Sequence, residues 1–287
     1  VSELFRARGS DAWFDTEAED ILPKGFQCPH CGGTHFTKEK DIMDVWFDSG
    51  SSHAAVLAQR PDLHFPADLY LEGGDQYRGW FQSSLLTAVA TGGKAPYKAT
   101  CTHGWTVDGE GKKMSKSIGN VILPEEIIKQ YGADILRLWV ASSDYHSDVR
   151  ISKEMLKQLS DIYRKIRNTA RFMLSNLGDF NPDTDLVPID QLTDLDLWAL
   201  NRLNEVIAKC KEGYDSFEFH VAYHEIHNYC IVDLSNFYLD VLKDRLYVEK
   251  ADSPLRRKAQ TGLYLILNAL TRLMAPLLAF TSEEIWR

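Results

Sequence analysis

From Ser152 onward the apolar positions fall into a helical rhythm. Met155, Leu159, Ile162, Ile166, Ala170, Met173 and Leu177 recur at spacings of four and three, so they form one apolar stripe. Ser152 stands where the helix start needs a cap and Gly178 where its end does. Thr193 with Asp196 reads as a capping box ahead of Leu200, Leu203, Ile207 and Cys210. Ser253-Pro254 opens a third long helix with Pro276 as a kink, and Thr281 with Glu284 caps a fourth. One stripe per helix and short links predict an all-α bundle over 151–287.

Earlier in the chain the texture is different. Ala67-Asp-Leu-Tyr-Leu71 alternates like a strand and ends in Gly73-Gly74; Asp75 then takes an N-cap position before the apolar run Trp80 to Ala90. A strand, a glycine turn and a helix start in that order place ligands at strand C-terminal ends in doubly wound sheets. Tyr97 to His103 is a second strand, and Asp108-Gly109 is a turn leading into a glycine- and lysine-rich loop. The fold class read from this pattern is α/β over 41–150, a partial Rossmann-type domain, followed by the all-α bundle. Residues 1–40, rich in turn formers, form a connector carrying Cys28-Pro-His-Cys31.

Composition adds two constraints. The net charge of −9 excludes a uniformly basic coat for nucleic acid, yet 150–171 holds seven basic residues against two acidic ones. Five cysteines, with no framework spacing, fit a reducing cytoplasm, and Cys101, Cys210 and Cys230 read as core. No apolar run approaches a bilayer span, so no membrane partner is expected. For Cys28 and Cys31 a zinc site needs four ligands, with His30 and His35 as the available helpers. A metal-free knuckle held by a turn is the alternative.

The segment Asp108-Gly-Glu-Gly-Lys-Lys-Met-Ser-Lys-Ser-Ile-Gly-Asn120 carries the most chemistry. Its glycines let backbone approach a ligand, its lysines supply point charges and its serines supply hydroxyl donors, a set suited to polyphosphate. Lys113-Met114-Ser115-Lys116-Ser117, with Gly119-Asn120, is similar to the KMSKS signature of class I aminoacyl-tRNA synthetases. Asp44-Val-Trp-Phe-Asp-Ser-Gly50, Glu72-Gly-Gly-Asp-Gln-Tyr-Arg-Gly-Trp-Phe81 and His103-Gly-Trp-Thr-Val-Asp108 resemble the isoleucyl branch in order and spacing. So do Gly132-Ala-Asp-Ile-Leu-Arg-Leu-Trp139 and Met274-Ala-Pro-Leu-Leu-Ala-Phe-Thr-Ser-Glu-Glu-Ile-Trp286. Gly74 stands where many relatives have Ser, and Trp105 where Phe is more frequent.

The resemblance implies an ATP-dependent ligase that joins isoleucine to tRNA(Ile) through an adenylate, with ATP as substrate, Mg2+ beside it, and a monomeric, cytoplasmic enzyme. It implies Lys113 and Lys116 as stabilisers of the leaving pyrophosphate. Glu72, Gly73, Asp75, Gln76, His103, Gly104, Met114 and Ser115 would bind ATP or adenylate beside them, although Asp75 read by itself could be only a helix cap. Trp46 and Trp80 resemble the walls of the amino-acid pocket, with plain core as the alternative. Arg164, Arg167 and Arg171, on one helical face, are the candidate tRNA contacts, with a solvated face as the alternative. The family's His-Ile-Gly-His signature, editing insertion and cysteine-rich C-terminal module are absent from the sequence. The expectation is therefore a fragment inactive alone, or one that acts only as a tRNA-binding module.

Overall fold

A computed structural model describes residues 1–287. The chain forms two compact units, Val1–Pro66 with Arg78–Pro96, and Ala67–Tyr77 with Tyr97–Arg287. In the first unit helix α1 (Ser2–Arg8) leads into loops tied together by Lys38. The Lys38 ammonium donates to the carbonyls of Trp13 (2.7 Å), Phe14 (3.3 Å) and Thr16 (2.5 Å). Helix α2 (Val45–Gly50) is capped by Asp44, whose carboxylate accepts from Trp46 N at 2.8 Å, and packs on α3 (Trp80–Gly92). Gly50 permits that approach, because a Cβ there would come within 2.8 Å of the Ser83 backbone.

In the second unit β1 (Ala67–Gly73) and β2 (Tyr97–His103) pair in parallel, in a register that sets Leu69 beside Ala99 and Gly73 beside His103. Both predicted strands form, and their C-terminal ends lie side by side. A second parallel pair, β3 (Thr106–Val107) and β4 (Val149–Arg150), brackets the lysine-rich loop, α4 (Pro124–Tyr131) and α5 (Ala133–Ser142). Asp75 does not cap a helix. Gly74–Arg78 forms a 3-10 turn, and α3 starts at Trp80 with Gly79 at its N-cap.

The helical region holds the continuous core of this unit. Helix α6 (Lys153–Ser175) is capped by Ser152 as expected, Oγ accepting from Met155 N at 3.3 Å. Its buried stripe runs through Leu156, Leu159, Ile166, Ala170 and Met173, whereas Met155 is 37% exposed. The helix ends at Ser175 with Asn176 as its C-cap, so Gly178 lies beyond the end. Helix α7 (Asp194–Asp215) carries the expected capping box, complete in both directions. Next come α8 (Phe219–Asn228), a π-helical segment Tyr229–Tyr238 and the short helices Leu239–Val241 and Lys243–Tyr247, none of which is among the helices expected from the sequence. Within the π-helical segment Tyr229, Cys230, Leu234 and Tyr238 are buried, continuing the one-face spacing of Ala222 and Ile226.

Helix α9 (Pro254–Met274) opens at Ser253-Pro254 as expected, but Pro276 kinks nothing. It lies in the turn between α9 and α10 (Ala279–Trp286). Nor does Thr281 cap α10. That cap comes from Asp134 at the start of α5, whose carboxylate accepts from Phe280 N (3.3 Å), Thr281 N (2.8 Å) and Thr281 Oγ1 (2.5 Å).

One buried ion pair holds the bundle together. The Asp196 carboxylate, fully buried, accepts from Arg245 Nη1 (2.9 Å) and Nη2 (3.0 Å), Thr193 Oγ1 (2.6 Å) and Tyr238 Oη (2.8 Å). Gly262 in α9 leaves room for the Tyr238 hydroxyl. Burial opposes ionisation of Asp196, yet Arg245, Thr193 and Tyr238 outweigh it and hold the carboxyl below the usual carboxylate range. Stabilisation from this group is therefore complete above the pKa of an unfolded Asp and is lost as pH falls toward the lower folded value. Replacing Arg245 with Ala leaves a buried, unpaired carboxylate and is expected to cost about 3–5 kcal/mol. Urea unfolding followed by circular dichroism checks this, and a loss below about 1 kcal/mol would contradict it.

Candidate functional site

The adjacent C-terminal ends of β1 and β2 bring Glu72, Gly73, Asp75 and Gln76 to the same edge as His103 and Gly104. A Cβ on Gly73 would lie 2.6 Å from Asp75 Oδ1 and 3.5 Å from His103 Cε1, so a larger residue there would displace that carboxylate. The Asp75 carboxylate thus folds back over the strand end, with Gln76 Nε2 donating to its Oδ2 at 3.2 Å. Tyr77 Oη and Thr102 Oγ1, 3.1 Å apart, tie the 3-10 turn to β2. Glu72 and Asp75 stay exposed, so this edge presents two carboxylates, a histidine and bare backbone to solvent.

The lysine-rich loop follows β3 and is shaped from within. Asp108 Oδ1 accepts from Glu110 N (3.0 Å) and Lys112 N (2.8 Å), while Oδ2 accepts from Asn120 Nδ2 at 2.8 Å. Asn120 also donates to Lys113 O (3.3 Å) and accepts from Ser115 N (2.9 Å). The bond from Asn120, then those from Lys112 N and Glu110 N, lower the Asp108 pKa. Asp108 and Asn120 thereby close the loop into one shape. The signal for them in the sequence was the Asx-Gly turn at Asp108-Gly109 and the amide that follows Gly119, both Asx types that bond nearby backbone.

On this frame the three lysines have different environments. Lys112 pairs with Glu110 at 2.7 Å, Lys113 Nζ rests 4.8 Å from the centroid of the Trp105 ring, and exposed Lys116 has neither an ion pair nor a hydrogen bond. Met114 is half-buried against the helical core and anchors the loop, and Ser115 Oγ contacts Ser117 Oγ (3.1 Å) and accepts from Ile118 N (3.3 Å). The loop therefore holds one free ammonium, one on an aromatic face and two hydroxyls on a pre-shaped backbone. Such a set can receive a polyphosphate at little reorganisation cost.

Trp46 and Trp80 belong to the first compact unit, on the packed pair α2 and α3. Trp80 Nε1 donates to Ser49 O at 2.9 Å and its ring lies 5.9 Å from that of Phe81; Trp46 is 44% exposed. Arg164, Arg167 and Arg171 are all exposed on α6. Arg164 pairs with Asp161 (3.1 Å) and Arg167 with Glu284 of α10 (3.2 Å), leaving Arg171 without an ion pair. Surface pairs of this kind are worth under about 1 kcal/mol, so a phosphate can displace them.

The zinc reading of Cys28 and Cys31 finds no support in the structure. No group of three or more His, Cys, Asp or Glu side chains is placed to hold a metal, and His35 faces Glu19 at 3.8 Å. Two thiols fall short of the four ligands structural zinc takes. Cys28–Gly33 is a turn closed by Cys28 N to Gly33 O (2.9 Å) and Gly32 N to Cys28 O (2.8 Å). Backbone hydrogen bonds from His30 and Cys31 lower the Cys28 pKa. Cys101, Cys210 and Cys230 are buried as expected; burial pushes Cys210 up to about 11 and Cys230 up to about 12. No helix is long and apolar enough to cross a membrane.

Residues 1–152 match the family model described as tRNA synthetases class I (I, L, M and V), and residues 196–287 match the anticodon-binding domain of tRNA ligase. All of the chain aligns at 64% identity with the isoleucine–tRNA ligase of Caldanaerobacter subterraneus subsp. tengcongensis, and at 62% with that of Natranaerobius thermophilus. The chain spans 31% of the length of each. Among solved structures it is similar to the LeuRS–tRNA–LeuAMS ternary complex of Agrobacterium radiobacter K84 (TM-score 0.71, 22% identity, 91% of this chain and 33% of that one). It is also similar to Mycobacterium tuberculosis methionyl-tRNA synthetase in complex with methionyl-adenylate (TM-score 0.62, 21% identity, 77% and 44%).

Replacing Asn120 with Ala removes the clasp from a carboxylate and a backbone amide. Amide hydrogen exchange across 110–119 is expected to accelerate by at least about tenfold while α9 stays protected. Unchanged exchange in the loop would show that the clasp does not set its shape.

Proposed function

The chain belongs to the class I tRNA synthetases, and from that premise we propose that it handles ATP and tRNA in the ligation of isoleucine to tRNA(Ile). The reaction read here has two steps. The amino-acid carboxylate attacks the α-phosphate of ATP and pyrophosphate leaves; a ribose hydroxyl at the tRNA 3′ end then takes the acyl group from the adenylate and AMP leaves. ATP enters as its Mg2+ complex, a hard cation that stays on phosphate oxygens and keeps several waters.

The observation that carries this reading is the lysine loop. Its shape is set by Asp108 and Asn120, and it offers Lys116 unpaired in solvent and Lys113 on an aromatic face. As the bond to the α-phosphorus breaks, charge grows on the departing pyrophosphate, and a preorganised ammonium stabilises that charge more than it stabilises bound ATP. Lys116 takes that role and Lys113 joins it by leaving Trp105. Ser115 and the loop backbone bind phosphate oxygens, and Met114 serves as the anchor that keeps the loop over the nucleotide.

At the strand ends Gly104 and His103 lie along the nucleoside, while Glu72, Gly73, Asp75 and Gln76 hold the ribose and the ammonium of the adenylate. A carboxylate beside an ammonium is ordinary electrostatics. Trp46 and Trp80 wall the aliphatic side chain. The division proposed along the chain is a connector over 1–40, the ATP-handling part over 41–150 and the tRNA-handling helices over 151–287, working as a monomer in the cytoplasm. Arg164, Arg167 and Arg171 run along tRNA phosphates, and their pairs with Asp161 and Glu284 exchange for phosphate on binding.

Two measurements test these roles. With this segment replacing its 64% identical counterpart in the Caldanaerobacter ligase, Lys116→Ala is expected to raise the activation barrier by about 2–4 kcal/mol in ATP–pyrophosphate exchange. Isoleucine affinity should stay the same, and an unchanged exchange rate removes Lys116 from the role. Replacing Arg164, Arg167 and Arg171 with Gln should weaken tRNA binding to the 287-residue chain and lower its salt slope by about two to three, one counterion per phosphate lost. A folded triple variant with the wild-type slope makes that face a solvated surface.

A further inference from the structure

The segment Ser143–Asp148, between α5 and β4, makes contacts in two directions that the reaction described above does not use. On one side it grips the end of β2. Gly104 N donates to Tyr145 O (2.8 Å), Trp105 N donates to Asp148 Oδ1 (2.8 Å), and a Cβ on Gly104 would overlap the Ser147 carbonyl. On the other side Tyr145 Oη donates to Phe217 O at 2.8 Å. The Tyr145 ring stacks on His146 (4.5 Å) and lies 6.3 Å from the Phe219 ring, over an apolar cavity of about 300 Å³ that His103, Gly104 and Phe219 also line. His146 in turn lies between Asp144 (2.9 Å) and Glu218 (3.8 Å).

The corner it reaches is unusual. Phe217, between α7 and α8, has φ of 62°, and no other non-glycine residue in the chain has a positive φ. Such a conformation costs an L-residue roughly 1–2 kcal/mol and persists only where the surroundings impose it. The corner is held by Glu218 N donating to Gly213 O (2.7 Å) and by the Tyr145 hydroxyl. From this corner the bonded path runs through Tyr145 to Gly104, through Asp148 to Trp105, and from the Trp105 ring to Lys113.

We propose that Ser143–Asp148 is a link through which the helical bundle sets the posture of the lysine loop, with Tyr145 as its positioning residue. Tyr145 holds the Phe217 corner and the Gly104 amide at once, and Asp148 holds the backbone of the tryptophan on which Lys113 rests. A shift of the α7–α8 corner therefore moves Trp105 and changes how readily Lys113 leaves it. The link gives tRNA-bound helices a physical connection to the phosphate loop, and it deepens the reading of that loop as the polyphosphate site.

Trypsin cleavage after Lys113 and Lys116 of the 287-residue chain reports loop posture, and cleavage after Lys211 in α7 serves as the control. Tyr145→Phe removes one hydroxyl and keeps the ring; the hydrogen bond it loses corresponds to an increase of about three- to tenfold in cleavage of the loop. Asp148→Asn is expected to act on the same sites, and the double variant should fall short of the product of the two single effects, since both cut one link. A rise confined to the loop, with a less than multiplicative double effect, supports the proposal. No rise, a parallel rise at Lys211, or a multiplicative double effect overturns it. Inorganic pyrophosphate added to the wild-type chain should slow cleavage of the loop. If it does not, the polyphosphate reading fails, while the ligand-free comparison still decides whether the link exists.

Discussion

The Asp108 carboxylate organises the part of this chain that carries its chemistry. Three donors converge on it, two from the loop backbone and one from Asn120, and Asn120 spends its remaining capacity on Lys113 O and Ser115 N. A loop with three glycines between 109 and 119 and three lysines would otherwise sample many shapes, at an entropic cost of about 1–2 kcal/mol per residue to order on binding. With the clasp in place that ordering is largely complete before a ligand arrives. The two lysines left for chemistry then sit on a defined backbone, one on Trp105 and one in solvent.

Everything else in the second compact unit gives that loop a fixed address. Parallel pairing of β1 with β2 brings Gly73 and His103 together, and pairing of β3 with β4 roots the loop directly beside the start of α6. Asp134 caps α10 across a long stretch of sequence, joining the helices after the loop to the last helix of the chain. The Asp196–Arg245 pair, with Tyr238, secures the bundle's interior, so the basic face of α6 projects from a rigid body.

Much of this was legible from residue order because it is local. Ser152, Thr193 and Ser253-Pro254 mark helix starts by short-range bonding or by fixed φ, and β1 and β2 declare themselves by alternation. The misreadings have separate causes, one of them a distant group. Thr281 looks like a local cap, but the carboxylate that caps its helix is Asp134. Gly178 looked like a helix end, but Asn176 already closes the last turn by bonding Phe172 O. The helices from 219 to 247 were passed over although their buried residues Ala222, Ile226, Cys230, Leu234, Tyr238, Leu242 and Leu246 recur at every fourth position. At the site, Lys113 and Lys116 were readable from their motif, whereas the roles of Trp105, Tyr145 and Asp148 depend on contacts across about forty residues or more.

The loop clasped by Asp108 and Asn120 is proposed to receive the pyrophosphate portion of ATP. Selective 15N-lysine labelling of the 287-residue chain, with amide shifts followed during titration by inorganic pyrophosphate and separately by AMP, tests it most directly. Saturable shifts of Lys113 and Lys116 are expected with pyrophosphate, with little change at these two with AMP and still signals at Lys209 and Lys258. Equal shifts with both ligands, or shifts spread evenly over the lysines, would contradict it.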